Sequence, residues 1–119
     1  MKYLKITIVL IFIAFAVFAC ASKTSKRKDF NIAESKSYEA SLFRQNCAIC
    51  HGSEANGKEM EDGIIPSLRY GVAATKSEEE IYLQIKEGKD AMPPFKNQLT
   101  EEEIQKMVNF VRRDLQGRQ

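Results

Sequence analysis

Cys47-Ala48-Ile49-Cys50-His51 is the stretch on which the reading of this 119-residue chain turns. A Cys-x-x-Cys-His run is the attachment signal for a c-type haem. Each thiol can add to a vinyl group of the macrocycle. Two intervening residues set the cysteines about one helical turn apart, so both reach one porphyrin edge. The histidine that follows supplies an imidazole nitrogen to the iron. Two other uses of such cysteines compete with this one. Thiol–disulfide exchange wants a neighbouring βαβ pattern, and no segment here reads as a convincing strand. A structural zinc site needs four ligands, whereas the chain has one histidine and three cysteines, and Cys20 has another use.

That use lies at the N-terminus. Lys2 and Lys5 precede an almost unbroken apolar run over 6–18, the charged and hydrophobic regions of an export signal and short for a membrane span. The run ends Val17-Phe18-Ala19-Cys20, which resembles the lipobox of bacterial lipoproteins, although Phe18 departs from the usual small residue. Residues 1–19 are accordingly expected to be a signal peptide of lipoprotein type, and Cys20 a lipidated residue. An uncleaved anchor with an idle Cys20 is the alternative. Either way the rest of the chain lies outside the cytoplasm on a membrane tether, at the periplasmic or cell-surface side of a bacterial membrane. Export also agrees with haem attachment. Residues 21–33 are rich in Ser, Thr, Lys and Arg and read as a solvated linker. The domains are thus expected at 1–19, 20–34 and 35–119.

Charge sharpens the picture once it is divided. The whole chain carries +2. Lys2 and Lys5 account for that excess, and the linker holds Lys23, Lys26, Arg27 and Lys28 against Asp29. Residues 34–119 are therefore left at about −3, which argues against a strongly negative partner and only weakly for a basic one. The short basic run gives no reason to expect nucleic-acid binding.

Three helices are expected in the remaining domain. The first runs from near Ser37 to the cysteine motif, with Tyr38, Leu42 and Phe43 inward. Ser77 and Glu80 form a capping box for the second, which carries Ile81, Tyr82 and Ile85 inward and stops at Gly88. Thr100 and Glu103 cap the third. There Ile104, Met107, Val108, Val111 and Leu115 recur on one face. The acidic triplets at 78–80 and 101–103 open helices, so capping and the helix dipole explain them better than paired catalytic carboxylates do. Residues 52–71, interrupted by Gly52, Gly57, Gly63 and Pro66, read as loop. A domain this short has a marginal core of its own, and a large apolar cofactor at its centre would supply the missing buried surface.

Iron held by one histidine has a further axial position. Met92, in Ala91-Met92-Pro93-Pro94-Phe95, is the candidate for it, because two prolines stiffen the segment. Ordinary core packing is the alternative use of Met92. Met60 lies in a polar loop, and Met107 belongs to the last helix. The second ring nitrogen of His51 needs a partner to orient the ligand, and the segment 64–68 can offer a carbonyl. Pro66 has an acceptor and no competing donor, and Leu68 is placed to pack on the ring.

These residues together resemble the class I monohaem cytochromes c of the small bacterial type, over about 37–115. The matching positions are Leu42, Phe43, the Cys47–His51 motif with Gly52, Gly57, Pro66, Leu68, Gly71, Gly88, Met92-Pro93-Pro94-Phe95, Leu99, Met107 and Phe110. The resemblance implies an all-α fold of three to five helices packed around one covalently attached haem c. It implies thioether bonds at Cys47 and Cys50, His51 and Met92 as axial ligands, a Pro66 carbonyl on the histidine, and Phe43 and Phe110 at the crossing of the first and last helices. Glu39 and Ala40 stand where the family often has a glycine, and so does Ala55. The function implied is one-electron transfer between redox partner proteins such as respiratory complexes, without an enzymatic reaction or a small-molecule substrate. Gas binding or sensing, weak peroxidase activity, and haem-free thiol oxidoreduction through Cys47 and Cys50 are the alternatives.

Overall fold

The computed structural model describes residues 29–119 together with 1, 3, 4 and 6–8. Cys20 and most of the expected export signal and linker lie outside the described residues. Helix α1 (Tyr38–Asn46) starts where Ser37 Oγ accepts from Ala40 N, and it buries Ala40, Leu42 and Phe43. A single turn, α2 (Ala48–His51), follows immediately. Helices α3 (Glu78–Glu87) and α4 (Glu101–Asn109) both begin with the expected reciprocal capping boxes, Ser77 with Glu80 and Thr100 with Glu103. Each box satisfies two amide donors that a helix start leaves open. The apolar stripe of α4 is buried at Ile104, Met107 and Val108 and continues through Phe110, Val111 and Leu115. Both α1 and α3 pack against α4.

The helix crossing forms the back of the molecule. Phe110 meets Phe43 with ring centroids 6.0 Å apart and Phe30 edge-on at 5.4 Å. Phe43, Phe110, Ile32, Ile104, Met107 and Val108 are its largest fully buried side chains. Full burial of one such side chain contributes roughly 1.5–3 kcal/mol. Ala40, at a place where the resembled family often has a glycine, is completely buried there, so the crossing accommodates a methyl group.

Four details depart from expectation. Packing begins before residue 35. Ile32 is fully buried and Phe30 rests on the core, because this part of the supposed linker carries apolar side chains that the charged residues around it obscure. Tyr38 is 54% exposed rather than inward, and its hydroxyl donates to the Glu103 carboxylate. The loop after the cysteine motif contains an antiparallel hairpin, β1 (Lys58–Met60) and β2 (Gly63–Ile65), turning at Glu61 and Asp62. Three-residue strands are too short to show period-2 alternation. Finally, the last helix widens into a π-helical turn over Phe110–Leu115. Its i→i+5 ladder includes Gln116 N donating to Val111 O at 3.0 Å. Each residue then turns through a smaller angle than in an α-helix, which brings Leu115 round to the buried face of Phe110 and Val111.

The acidic triplets also tie helices together. Glu78 accepts from Arg112 and, at 2.8 Å, from Gln105 Nε2. Glu101 holds Lys86 at 2.7 Å and accepts from Tyr82 Oη.

Candidate functional site: an apolar cavity with two thiols, an imidazole and a thioether

In front of the helix crossing lies a cavity of about 450 Å³. That is within the range of ligand and cofactor sites. Cys47, Cys50, His51, Pro66, Leu68 and Met92 all line it, so the structure brings together every expected site residue except Cys20. Phe43, Ile81, Ile85, Phe95, Leu99 and Met107 make much of the remaining wall.

Local backbone chemistry explains how the cysteine motif reaches this wall. Cys47 ends α1 and starts α2: its amide donates to Phe43 O at 2.8 Å, and its carbonyl accepts from His51 N at 2.9 Å. One residue thus serves both helices, and the chain turns sharply without leaving a buried amide open. Behind His51, Gly57 N donates to His51 O at 3.0 Å. Gly57 has φ +89°, and a Cβ there would sit 2.4 Å from Ile65 O. Only glycine lets the histidine loop press this closely on 65–67. Ala55 nearby adopts φ +58° and is completely buried. The turn is thus left-handed at a place where the resembled family commonly has a glycine, and here it is held with a methyl group that packs into the core.

The chemistry of the cysteine motif is that of a desolvated donor set. Burial lowers the basicity of His51, favouring the neutral imidazole that a metal requires. His51 Nδ1 is buried and has no hydrogen-bond partner. The expected bond to the Pro66 carbonyl is therefore not made here, although Pro66 lines the same cavity. Burial, with a smaller contribution from Cys50, pushes the Cys47 thiol up to about 12. An exchange-active thiol needs the opposite shift. Among the described residues no cluster of His, Cys, Asp and Glu suits a bare metal ion.

The Met92 loop is held from beneath by backbone. Lys89 N donates to Met92 O at 3.0 Å, and Met92 N returns to Lys89 O at 2.9 Å. The reversal runs through Asp90, at φ +53°, and Ala91. Gly88, at φ +73°, makes the approach possible, since a Cβ there would lie 2.5 Å from Met92 O. Phe95 N and Lys96 N then donate to Ile85 O and Lys86 O, capping carbonyls that the end of α3 leaves open. The stiffness expected from prolines thus comes equally from these bonds.

Sequence reasoning missed three contributors. Gln84 lines the cavity, and its Nε2 lies 3.8 Å from Met92 Sδ, a weak donor contact. A glutamine three residues after Ile81 on the inward face of α3 was the available signal. The hairpin and the 3₁₀ turn Gly71–Thr75 bring Ile64, Ile65, Val72 and Ala73 to the wall. Gln116, at the end of the π turn, donates to Leu68 O at 2.8 Å and Ala73 O at 3.2 Å, and so ties the last helix to this side.

An apolar cleft offering two thiols, a neutral imidazole and a thioether fits a tetrapyrrole carried on two sulfurs with iron between nitrogen and sulfur. Comparison with known proteins supports a covalently attached haem. The family model for cytochrome c oxidase, cbb3-type, subunit III matches residues 39–111. A cytochrome c6 from Gracilaria tenuistipitata var. liui is 36% identical over 70 residues, 59% of this chain and 64% of that one. This chain therefore spans somewhat less than two thirds of that relative's length. A cytochrome c6 from Parathermosynechococcus lividus is 35% identical over 72 residues, covering 60% of this chain and 82% of the relative. One from Nostoc sp. (strain PCC 7120 / SAG 25.82 / UTEX 2576) is 31% identical over 107 residues, 88% of this chain and 87% of the relative. Among solved structures, the KustC0563 c-type cytochrome is 35% identical, with a TM-score of 0.50 over 60% of this chain and 90% of that one. The cysteine motif, the helical frame around its cavity and these matches have one explanation: the chain belongs to the c-type cytochromes, as a small class I member whose cofactor is a covalently attached haem c.

Proposed function

We propose that this chain is an electron carrier, taking one electron from one redox protein and giving it to another, and that it is not an enzyme. The observation that carries the reading is the convergence of Cys47, Cys50, His51 and Met92 on one apolar cavity. The haem supplies a one-electron iron couple. Cys47 and Cys50 would hold the haem through thioether bonds, and His51 would offer a neutral imidazole from one loop. Met92 offers its sulfur from another. The apolar wall, of which Leu68 is part, excludes water. Held by His51 and Met92, a bound haem iron would have a raised reduction potential and would offer no position to a substrate.

The competing readings meet specific obstacles. Gas binding needs an open axial position, which the bonds holding the Met92 loop work against. Haem-free thiol exchange needs a readily ionised cysteine, and Cys47 is shifted the other way. The optical spectrum of holoprotein from a host able to attach haem separates them. The carrier gives a low-spin reduced α band and, when oxidised, a weak near-infrared sulfur-to-iron band. Met92→Ala abolishes the near-infrared band and lowers the midpoint potential; an unchanged spectrum removes the ligand assignment. Rapid carbon monoxide binding to the reduced wild type favours the gas-binding reading.

The proposal extends to placement. Residues 1–19 act as the export signal, Cys20 carries the lipid, and 21–29 form the tether outside the cytoplasm. With Phe30 and Ile32 packed on the body, that tether has nine residues and reaches at most about 30 Å. No helix among the described residues is long and apolar enough to cross a membrane. Cys20→Ser is expected to move the mature protein from the detergent phase to the aqueous phase on partitioning.

A further inference from the structure

The π turn at Phe110–Leu115 changes which side chain follows Val111 along the last helix. In an α-helix the positions one turn beyond residue 111 are 114 and 115, here Asp114 and Leu115. The wider ladder instead sets Gln116 one turn beyond Val111, with Gln116 N donating to Val111 O at 3.0 Å. Both residues line the cavity. Turns of this kind are rare, and where they occur they often mark functional sites. The chain then reverses through Gly117, at φ +64°, and Arg118 N donates to Arg112 O at 2.7 Å.

The two polar side chains brought round by this turn act on one stretch of backbone. Gln116 Nε2 donates to Leu68 O and Ala73 O. Arg118 Nη1 donates to Lys76 O at 2.8 Å and to Gln116 Oε1 at 3.0 Å, which joins the two side chains. The stretch they hold gives Leu68, Val72, Ala73 and Lys76 to the cavity wall. It has little else to hold it. Its 3₁₀ turn buries Ala73 alone, Tyr70 and Val72 are exposed, and the Thr75 hydroxyl donates within the turn, to Val72 O. Among the described residues, the side-chain hydrogen bonds that reach 70–76 from elsewhere in the chain come from Gln116 and Arg118.

We infer that Gln116 and Arg118 form a latch that keeps residues 68–76 closed over one side of the haem cavity, and that Gln116 is a positioning residue acting on the cofactor through Leu68 and Ala73. Opening the latch lets water reach a wall that is otherwise apolar. Water at the cofactor favours the more highly charged, oxidised iron and lowers its potential. The inference rests on the attached haem and is independent of the carrier reading.

The test uses full-length holoprotein in a nonionic detergent, with amide hydrogen exchange and the midpoint potential as its two readouts. Gln116→Leu removes both donations and leaves the charge unchanged. Amides in 70–76 should then exchange roughly tenfold faster. Those of α3 and α4 should keep their wild-type rates, and the midpoint potential should fall. Arg118→Met frees Lys76 O and should speed exchange in the same segment by about threefold, whereas Arg118→Lys keeps a donor there and should restore most of the protection. Thr100→Ala is the control: it weakens a helix cap away from the cavity and should move neither the exchange of 70–76 nor the potential. Unchanged exchange at 70–76 in Gln116→Leu overturns the latch. So does acceleration spread evenly over all the helices, which marks a general loss of stability. Faster exchange at 70–76 with an unchanged potential overturns the positioning role of Gln116. Should Gln116→Leu fail to fold, Arg118→Met decides the matter, and wild-type exchange at 70–76 in that variant overturns the latch.

Discussion

The two non-helical segments that flank the core are held in different ways. At the back, residues 30–35 are gripped by charged side chains acting on backbone. The Glu54 carboxylate accepts from Ile32 N and Ala33 N, both at 2.9 Å. Arg69 donates to Phe30 O at 2.7 Å and to Glu54 O at 2.5 Å, and Arg44 donates to Ile32 O and Ser35 O. At the front, the Met92 loop is held by backbone on backbone, with glycine where the chains meet. A segment fastened by long side chains is tied to the three-dimensional neighbourhood of those side chains. A segment fastened by its own backbone and a glycine carries its geometry in its local sequence.

The largest effect expected from breaking this contrast is at the back. Phe110→Ala removes the ring between Phe30 and Phe43 and should cost about 3–5 kcal/mol, measured by denaturant unfolding of the holoprotein. The near-infrared band of whatever remains folded should be retained, because Phe110 does not line the cavity. Next, Arg69→Met strips the partners from the Phe30 and Glu54 carbonyls and leaves the Glu54 carboxylate short of its cation. With the Arg69 side chain only 11% exposed, the expected loss is about 2–3 kcal/mol, accompanied by faster proteolytic cleavage near residues 30–35.

Gly88→Ala probes the front. A side chain at φ +73° facing Met92 O strains the loop by about 1–3 kcal/mol. The expected signature is spectroscopic: a weakened sulfur-to-iron band and easier carbon monoxide binding, with the unfolding midpoint changing less than in Phe110→Ala. If Gly88→Ala and Arg69→Met gave the same spectral change, the two regions would not be independent.

The smallest effect concerns the helix starts that both regions share. The Ser77 amide and hydroxyl hold the Glu80 carboxyl below its ordinary value of 4.5. Tyr38, then Thr100, do the same for Glu103. Folded-state values below the unfolded ones mean that this stabilisation is present above about pH 4.5. It is lost as pH falls through the depressed values. Melting temperature should therefore decline below that pH. In Ser77→Ala combined with Thr100→Ala it should decline less steeply, from a plateau already lowered by about 1 kcal/mol for each cap. A decline of unchanged steepness would show that other carboxylates govern acid unfolding.

Much of this was legible beforehand because it is local. The Cys47–His51 spacing, both capping boxes and the stripe of the last helix concern residues within a few turns of one another, where backbone geometry dictates side-chain direction. The hairpin was missed because six residues in two short strands leave too faint a period. Tyr38 was misplaced because apolar spacing does not say that an aromatic hydroxyl will find Glu103, 65 residues away in the chain. Ile32 went unnoticed because its burial depends on Glu54 and Arg69 fastening its backbone.

By itself, then, the sequence determined the spacing of the Cys47–His51 motif and where helices start, since covalent spacing and hydrogen bonds within a few residues decide both. The tertiary structure alone decided that residues 30–35 belong to the body and that Gln84 approaches Met92. The physical reason is that charge, burial and pairing are properties of neighbourhoods in space.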